Sequence, residues 1–140
     1  MRKVFLVTVA ALVIAWTGAA SGAPKAGGQK TIATYCSSSG DVCYGIFNRS
    51  GKVFLRFTTA AHYFRRYTLC VRLLPPAGAG AERLQRCGLF PVFRQGGGTW
   101  GSSVNYARQY PVTRPGRYRV SWKLGATPLG PPLAFRLPLH

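Results

Sequence analysis

Residues 117–124 alternate strictly between polar and apolar side chains, and this pattern constrains the fold most strongly. A period of two places every apolar side chain on one face of a β-strand, whereas a helix would spread them around its axis. The segment therefore predicts a strand with one buried and one solvated face. The buried set is Tyr118, Val120, Trp122 and Leu124, and the solvated set is Arg117, Arg119, Ser121 and Lys123.

Turn signals recur at short intervals along the rest of the chain, and no segment has the apolar period of an amphipathic helix. Because short, half-buried strands cannot cover one another within a single sheet, we expect an all-β fold of two antiparallel sheets packed face to face. Pro91 in the fourth predicted strand indicates an edge strand or a bend. The seven predicted strands are residues 42–47, 52–58, 67–74, 84–93, 99–108, 117–124 and 133–137.

Residues 115–120, Pro-Gly-Arg-Tyr-Arg-Val, open the penultimate strand with a Gly-x-Tyr-x-Val pattern. This pattern resembles the tyrosine corner of immunoglobulin-like sandwiches, and the resemblance covers about residues 41–138. It implies an immunoglobulin-like sandwich of about seven antiparallel strands. The chain departs from antibody-type domains because Val120 stands where their second inter-sheet cysteine would be. The superfold hosts many unrelated functions, so the resemblance implies no particular one.

Residues 1–23 contain the three parts of a cleavable signal peptide in the usual order. The chain starts Met-Arg-Lys, continues with an apolar run over residues 4–16, and then has small residues with predicted cleavage between residues 20 and 23. A membrane anchor is the alternative, but spanning a bilayer takes roughly 20 apolar residues and this run has 13. We therefore expect a secreted, extracellular protein without a transmembrane segment after cleavage. The mature part is predicted to comprise residues 24–40, a flexible leader and the start of the domain, and residues 41–140, the β-sandwich domain.

The mature part has four cysteines, and export would place them in an oxidising environment, which predicts two disulfides. A zinc site is disfavoured because no two cysteines are close enough in sequence and no histidine lies at ligand spacing. A hairpin centred on the Gly-rich turn at residues 75–81 puts Cys70 opposite Cys87, which leaves Cys36 to pair with Cys43. A crossed pairing stays open.

The same hairpin register places Arg86 opposite Val71, on the face predicted to be buried. A bulge near Gly88 or a slightly shifted pairing would relieve this conflict.

The chain has 19 Lys and Arg residues against two Asp and Glu residues, a formal net charge of +17. Removal of Arg2 and Lys3 with the signal peptide subtracts two charges and leaves +15. Such a field attracts polyanions, so the predicted partners are anionic polysaccharide, nucleic acid or an envelope polymer. The alternative is that the arginine content reflects genome composition or solubility and not a ligand.

Groups that could act in acid–base catalysis are scarce in the mature part, which has only Asp41, Glu82, His62 and His140. The two carboxylates lie in different predicted connections, so nothing in the sequence pairs them as a glycosidase requires. A Gly-x-Ser-x-Gly motif is lacking, and two disulfides would leave no cysteine nucleophile. We therefore predict no enzymatic activity, no cofactor and no metal site.

Two sets of residues are candidates for ligand binding. The connection at residues 62–67 interleaves aromatic rings, which can stack on bases or sugars, with arginines, which can hold phosphates or sulfates. Its alternative interpretation is that Phe64 and Tyr67 close the end of the sandwich while Arg65 and Arg66 face water. The candidates are His62, Tyr63, Phe64, Arg65 and Arg66 in this connection and Arg117, Arg119 and Lys123 on the solvated strand face, which Arg136 and Arg56 would extend.

Two further residues have competing interpretations. Trp100, beside three glycines, is either an exposed ring for stacking on sugars or, as is more common for large aromatics, a core residue. Asn48 begins an N-glycosylation pattern, Asn-Arg-Ser, which is also typical of a hairpin turn.

Two functional hypotheses follow from these observations. The first is a secreted, non-catalytic binding or structural module that meets an anionic polymer or the cell envelope through a strongly cationic surface. The second is an extracellular inhibitor or protein–protein interaction domain that uses residues 62–67 as its interface.

Overall fold

The computed structural model describes residues 28–76, 85–110 and 112–140 (the described residues). The predicted signal peptide, residues 1–23, and Glu82 lie outside them. Apart from a short helix α1 at Tyr106–Gln109 and a 3-10 turn at Gly96–Gly98, the regular elements are strands. The strands are β1 Gln29–Cys36, β2 Val42–Arg49, β3 Lys52–Thr59, β4 Arg66–Leu74, β5 Gln85–Pro91, β6 Phe93–Arg94, β7 Trp100–Asn105, β8 Gly116–Leu124, β9 Thr127–Pro128 and β10 Leu133–Leu137.

The strands form two antiparallel sheets that share one hydrophobic core. The first sheet has the order β1-β2-β3-β7-β6, and the second has the order β10-β8-β4-β5 with β9 paired to β8. Rings from the two sheets meet between them: Tyr44 stacks on Trp122 at 4.4 Å between ring centroids, and Phe57 stacks on Tyr67 at 4.5 Å. The prediction of an all-β, sandwich-like fold is therefore confirmed at this level.

Strand β8 follows the alternation read from the sequence. Tyr118, Val120 and Trp122 are buried, and Arg117 and Arg119 are exposed. Leu124, which was predicted to be buried, is 44 % exposed because β8 ends there in the turn to β9. The core residues shared by the two sheets include Tyr44, Ile46, Leu55, Phe57, Tyr67, Leu69, Val71, Val104, Tyr118, Val120, Trp122 and Phe135.

The prediction of about seven strands is wrong, since the described residues form ten. Strand β1 lies in the segment 24–40, which was predicted to be a flexible leader and the start of the domain. Its apolar alternation is interrupted by a register shift between Thr31 and Ala33, which hides the strand in the sequence. Strands β6 and β9 have two residues each, and helix α1 takes the end of the fifth predicted strand.

The fourth predicted strand, residues 84–93, is divided between the two sheets. Strand β5 is the edge of the second sheet and ends at Pro91, after which the chain crosses to the first sheet as β6. At the crossing, the Val92 N–H donates to the Arg65 carbonyl oxygen at 2.9 Å. Pro91 therefore marks both an edge strand and a bend, the two alternatives that its ring indicated.

The prediction of two disulfides is confirmed. One joins Cys36 of β1 to Cys43 of β2, and the other joins Cys70 of β4 to Cys87 of β5. Two disulfides are typical of an oxidising, extracellular environment.

The β4–β5 register is continuous and sets Val71 opposite Arg86 without a bulge or a shifted pairing. Both of the predicted relief mechanisms are therefore wrong. Arg86 stays exposed because β5 is the edge strand of its sheet, so its guanidinium can reach water.

Two local features fix turns near the strand ends. In the hairpin between β2 and β3, Ser50 and Gly51 both have positive φ, as a type I′ turn requires, and Asn48 Oδ1 accepts a hydrogen bond from the Gly51 N–H at 2.9 Å. Before β8, the Tyr118 hydroxyl donates to the Arg114 carbonyl oxygen at 2.6 Å. This bond ties the preceding connection to the buried ring of Tyr118.

Candidate functional site

The outer face of the second sheet carries a group of four arginines. Arg119 of β8 lies directly opposite Arg72 of β4, and Arg117 of β8 lies directly opposite Arg136 of β10. Residues opposed in this way have Cα atoms about 4.5–5.5 Å apart and point to the same side of the sheet. Three neighbouring strands therefore bring these four guanidinium groups, the arginine cluster, onto one surface.

The strands of the second sheet, as far as the structure describes them, contain no acidic side chain that could offset the charge of the arginine cluster. The sole acidic side chain among the described residues belongs to Asp41, which lies in the turn between β1 and β2 of the other sheet. Like charges directly opposite one another destabilise a sheet. In addition, Arg72 is half-buried and its Nε is buried without a hydrogen-bond partner. The face thus holds donors and positive charge that the described residues leave unmatched.

Two of the three residues predicted on this strand, Arg117 and Arg119, lie in the arginine cluster. Lys123 is on the same face but lies opposite Thr68, at the other end of β8. Arg66, which precedes the buried Tyr67, points to this face as well and is exposed.

Arg56 does not join the basic face, contrary to the prediction. It lies on β3 in the first sheet, where its guanidinium sits 4.9 Å from the centre of the Phe47 ring and donates to Gln29 Oε1 at 3.2 Å. The sequence does not reveal which sheet a strand joins. It therefore could not separate Arg56, on the first sheet, from the arginines of β8 on the second.

Arg72 is the member of the cluster that the sequence reasoning missed. Its position between Val71 and Leu73 on an alternating strand already indicated an outward side chain. What the sequence lacked was the pairing of β4 with β8, which brings Arg72 next to Arg119.

The candidate residues at 62–67 do not form one continuous binding surface. Tyr67 is fully buried, stacks on Phe57 and shares a hydrogen bond of 2.8 Å with the Ser102 hydroxyl. Burial raises the pKa of Tyr67 to about 12. Phe64 is half-buried, with its ring centre 5.6 Å from that of Phe57. These two rings close the end of the core, as the alternative interpretation predicted.

The rest of this connection is at the surface. Tyr63 is 56 % exposed, and His62 and Arg65 are exposed too. The His62 ring stacks on Trp100 with 4.1 Å between centroids and 11° between planes. Trp100 is half-buried beneath it, so it is neither a fully exposed ring nor a fully buried core residue.

Two hydrogen bonds of its backbone hold Asp41 in the turn between β1 and β2. The Asp41 carbonyl oxygen accepts a hydrogen bond from the Ala60 N–H at 2.9 Å, and the Asp41 N–H donates to Ser39 Oγ at 3.3 Å. Among the described residues, no three or more His, Cys, Asp or Glu side chains are grouped so that they could hold a metal ion. Within the same ranges, no helix is long and apolar enough to cross a membrane.

No protein-family model, curated protein or solved structure matches this chain.

Proposed function

We propose that this protein is a secreted, non-catalytic binding module that contacts a linear anionic polymer through the outer face of its second sheet. The observation that carries the proposal is the arginine cluster, in which two pairs of guanidinium groups are directly opposed on neighbouring strands. Anionic polysaccharide, nucleic acid and envelope polymers all have the required chemistry. The net charge of +17, or +15 after removal of Arg2 and Lys3 with the signal peptide, supports the proposal because it speeds the encounter with any polyanion.

The spacing of the arginine cluster suits a polymer with repeated anionic groups. Neighbouring strands lie about 4.8 Å apart, and Arg117 and Arg119, two residues apart on one strand, are separated by about 7 Å. Guanidinium groups bind phosphate, sulfate and carboxylate with paired hydrogen bonds. An anionic ligand would also offset the repulsion that the opposed arginines exert on each other in the free domain.

We further propose that the sandwich is immunoglobulin-like. The order β2-β3-β7-β6 against β10-β8-β4-β5 supports this, because it corresponds to the immunoglobulin strands A-B-E-D against G-F-C-C′. The hydrogen bond from the Tyr118 hydroxyl to the Arg114 carbonyl supports it as well, since a tyrosine corner has this bond at the start of strand F. Strands β1, β5 (as C′) and β9 would then be additions to the seven-stranded plan.

The test is binding of the cleaved, oxidised protein to heparin, DNA, a teichoic-acid-like polymer and a neutral polysaccharide across a salt series. The Arg72→Gln/Arg119→Gln variant removes one opposed pair of the cluster. Its matched control is Arg49→Gln/Lys52→Gln, which removes an opposed, exposed basic pair from the first sheet.

We expect one polyanion to bind tightly and the cluster variant to lose at least about tenfold in affinity. The log–log salt slope should fall by about one ion contact for each arginine removed, while the control stays close to wild type. Equal losses in both variants, or weak and unselective binding that vanishes by physiological salt, would show that the charge is general background.

A second candidate function is a protein-interaction or inhibitor domain that uses the exposed part of residues 62–67. It is favoured by Tyr63, which is largely exposed next to the His62–Trp100 stack. A Tyr63→Ala/Arg65→Ala variant spares the core ring of Phe64. Loss of a stoichiometric protein partner in this variant, at unchanged polyanion affinity, would favour this function over polymer binding.

A further inference from the structure

Strand β7 has an open edge. It pairs with β3 along all of Trp100–Asn105 but with β6 only at Trp100 and Gly101. In an antiparallel ladder, alternate residues direct their N–H and C=O groups to one side and the intervening residues direct theirs to the other. Among the described residues, the outward backbone groups of residues 102–105 therefore have no strand to pair with.

The pairing stops at Gly101 because β6 begins there: the N–H of the preceding Val92 donates to the Arg65 carbonyl oxygen at 2.9 Å and not to β7. The Gln95 side chain donates from Nε2 to the Gly101 carbonyl oxygen at 2.9 Å, and the Gln95 N–H donates to the Thr99 carbonyl oxygen at 2.7 Å. The Gly101 carbonyl oxygen is thus bonded to a side chain at the point where the ladder ends. Beyond this point about 13 Å of β7 remains open, for four residues at the usual rise.

A groove of about 330 Å³ runs beside this open stretch. Phe54, Phe93 and Asn105 line it, and Phe93 is 58 % exposed, which is unusual for a ring of this size. Phe54 and Asn105 are opposed on β3 and β7 and point outward from the first sheet, because their neighbours Leu55 and Val104 are buried.

The groove also contains unmatched polar groups. Asn105 has a buried side-chain oxygen, Oδ1, without a hydrogen-bond partner. Arg108 of helix α1 lines the groove and is exposed, and none of the described residues that line it is acidic.

We propose that this groove, the β7 edge groove, binds an extended peptide of a partner protein by β-strand addition. The open backbone of residues 102–105 supplies main-chain hydrogen bonds, and the rings of Phe54 and Phe93 receive an apolar side chain. An acidic residue of the peptide pairs with Arg108. The groove lies on the first sheet, so this inference is independent of the polymer-binding function proposed for the second.

Charge decides between a partner peptide and a second copy of this chain. Two copies joined along β7 would bring Arg94 and Arg108 of one copy close to the same arginines of the other. With a net charge of +15 on each chain after signal cleavage (+17 less Arg2 and Lys3), such a pairing is strongly disfavoured. A peptide that carries acidic residues meets no such repulsion.

The experiment selects peptides of about ten residues from a displayed random library on the oxidised protein, a length that exceeds the open stretch. Selected peptides are synthesised, titrated and mapped by backbone amide hydrogen exchange. Two variants test the groove, Arg108→Glu and Phe93→Ala. Their matched controls are Arg119→Glu and Leu89→Ala, since Leu89 is also 58 % exposed but lies on the second sheet.

We expect the selected peptides to combine acidic and apolar residues and to protect amides within residues 102–105. Arg108→Glu and Phe93→Ala should each weaken binding at least about tenfold, while the controls bind as wild type does. Failure to select any peptide, equal binding to the groove variants, or self-association through β7 in sedimentation would overturn the proposal. Heparin affinity of the groove variants separates this result from that of the polymer-binding proposal.

Discussion

Arg72 and Arg119 lie directly opposite each other on β4 and β8, and Arg117 and Arg136 lie directly opposite each other on β8 and β10. Opposed like charges each cost a sheet roughly 0.2–1 kcal/mol. The arginine cluster therefore weakens the free domain at the same place where we propose that an anion binds. Stability and ligand affinity should consequently respond in opposite directions to changes of charge on this face.

The Arg119→Glu variant tests whether stability and ligand affinity change in opposite directions. It should raise the free energy of unfolding by up to about 1 kcal/mol at low salt, because a carboxylate then faces Arg72, and the gain should shrink as salt is added. Its heparin affinity should fall. The control Arg49→Glu creates a similar pair with Lys52 in the first sheet and should leave heparin affinity nearly unchanged. Urea denaturation and heparin titration provide the measurements, and a destabilised Arg119→Glu variant at low salt would contradict the prediction.

The two disulfides should contribute unequally to stability. They close loops with sequence separations of 17 and 7 residues, for which the chain-entropy relation gives about 3 and about 2.5 kcal/mol. Urea denaturation should therefore show a larger loss for Cys70→Ala/Cys87→Ala than for Cys36→Ala/Cys43→Ala. In the latter variant, hydrogen exchange should accelerate chiefly in β1. The reverse order of the losses would count against this expectation.

Among the glycines of the described residues, Gly101 is the one whose replacement should cost most. A Cβ atom at this position would collide with the carbonyl oxygen of Phe57 on the neighbouring strand, and backbone cannot move aside as a flexible side chain can. Gly101→Ala should lower the free energy of unfolding by about 2 kcal/mol or more. Gly96→Ala is the control, since its Cβ would meet nothing within 4 Å, and thermal unfolding should show it close to wild type. Equal midpoints for the two variants would disprove the close approach.

Stability should fall steeply at alkaline pH. Burial raises the pKa of Tyr44 and of Tyr67 from the ordinary 10.0 to about 12 in the folded protein. Their contribution is complete below pH 10 and is lost as the pH rises through about 12, because the unfolded chain releases protons that the folded chain retains. Each such tyrosine lowers the free energy of unfolding by about 1.4 kcal/mol per pH unit in this window.

Urea denaturation at several pH values, with phenolate absorbance recorded in parallel, measures this slope. Tyr44→Phe is the matched variant: it loses the hydrogen bond from the Tyr44 hydroxyl to the Pro131 carbonyl oxygen, and it should show a shallower slope than wild type. A free energy of unfolding that stays constant across the window would refute the prediction.

Much of the fold could be predicted because several strands carry their own pattern. Strand β10 begins and ends at the predicted residues, and β8 differs by one residue at its start. The Cys70–Cys87 pair followed from the symmetry of a hairpin, in which one turn fixes every opposed residue. These features are local, so the sequence contains all the information they need.

The features that could not be predicted depend on contacts between distant parts of the chain. Arg72 meets Arg119 because β4 pairs with β8 across the intervening strands, and no local pattern encodes that choice. The composition of residues 62–67 likewise did not separate Tyr67, which is buried in the core, from Tyr63, which is exposed. Whether an aromatic side chain at the end of a sandwich is exposed depends on the rings from other strands that pack against it.

The back-to-back packing of the two sheets has a consequence for how the domain could work. The arginine cluster points outward from the second sheet, while Phe54 and Asn105 of the β7 edge groove point outward from the first. A polymer on one side leaves the other side free, so one molecule could act as an adaptor between a matrix and a protein. Many adaptors on one polymer would then raise the effective concentration of that protein along it, without any increase in the affinity of a single groove.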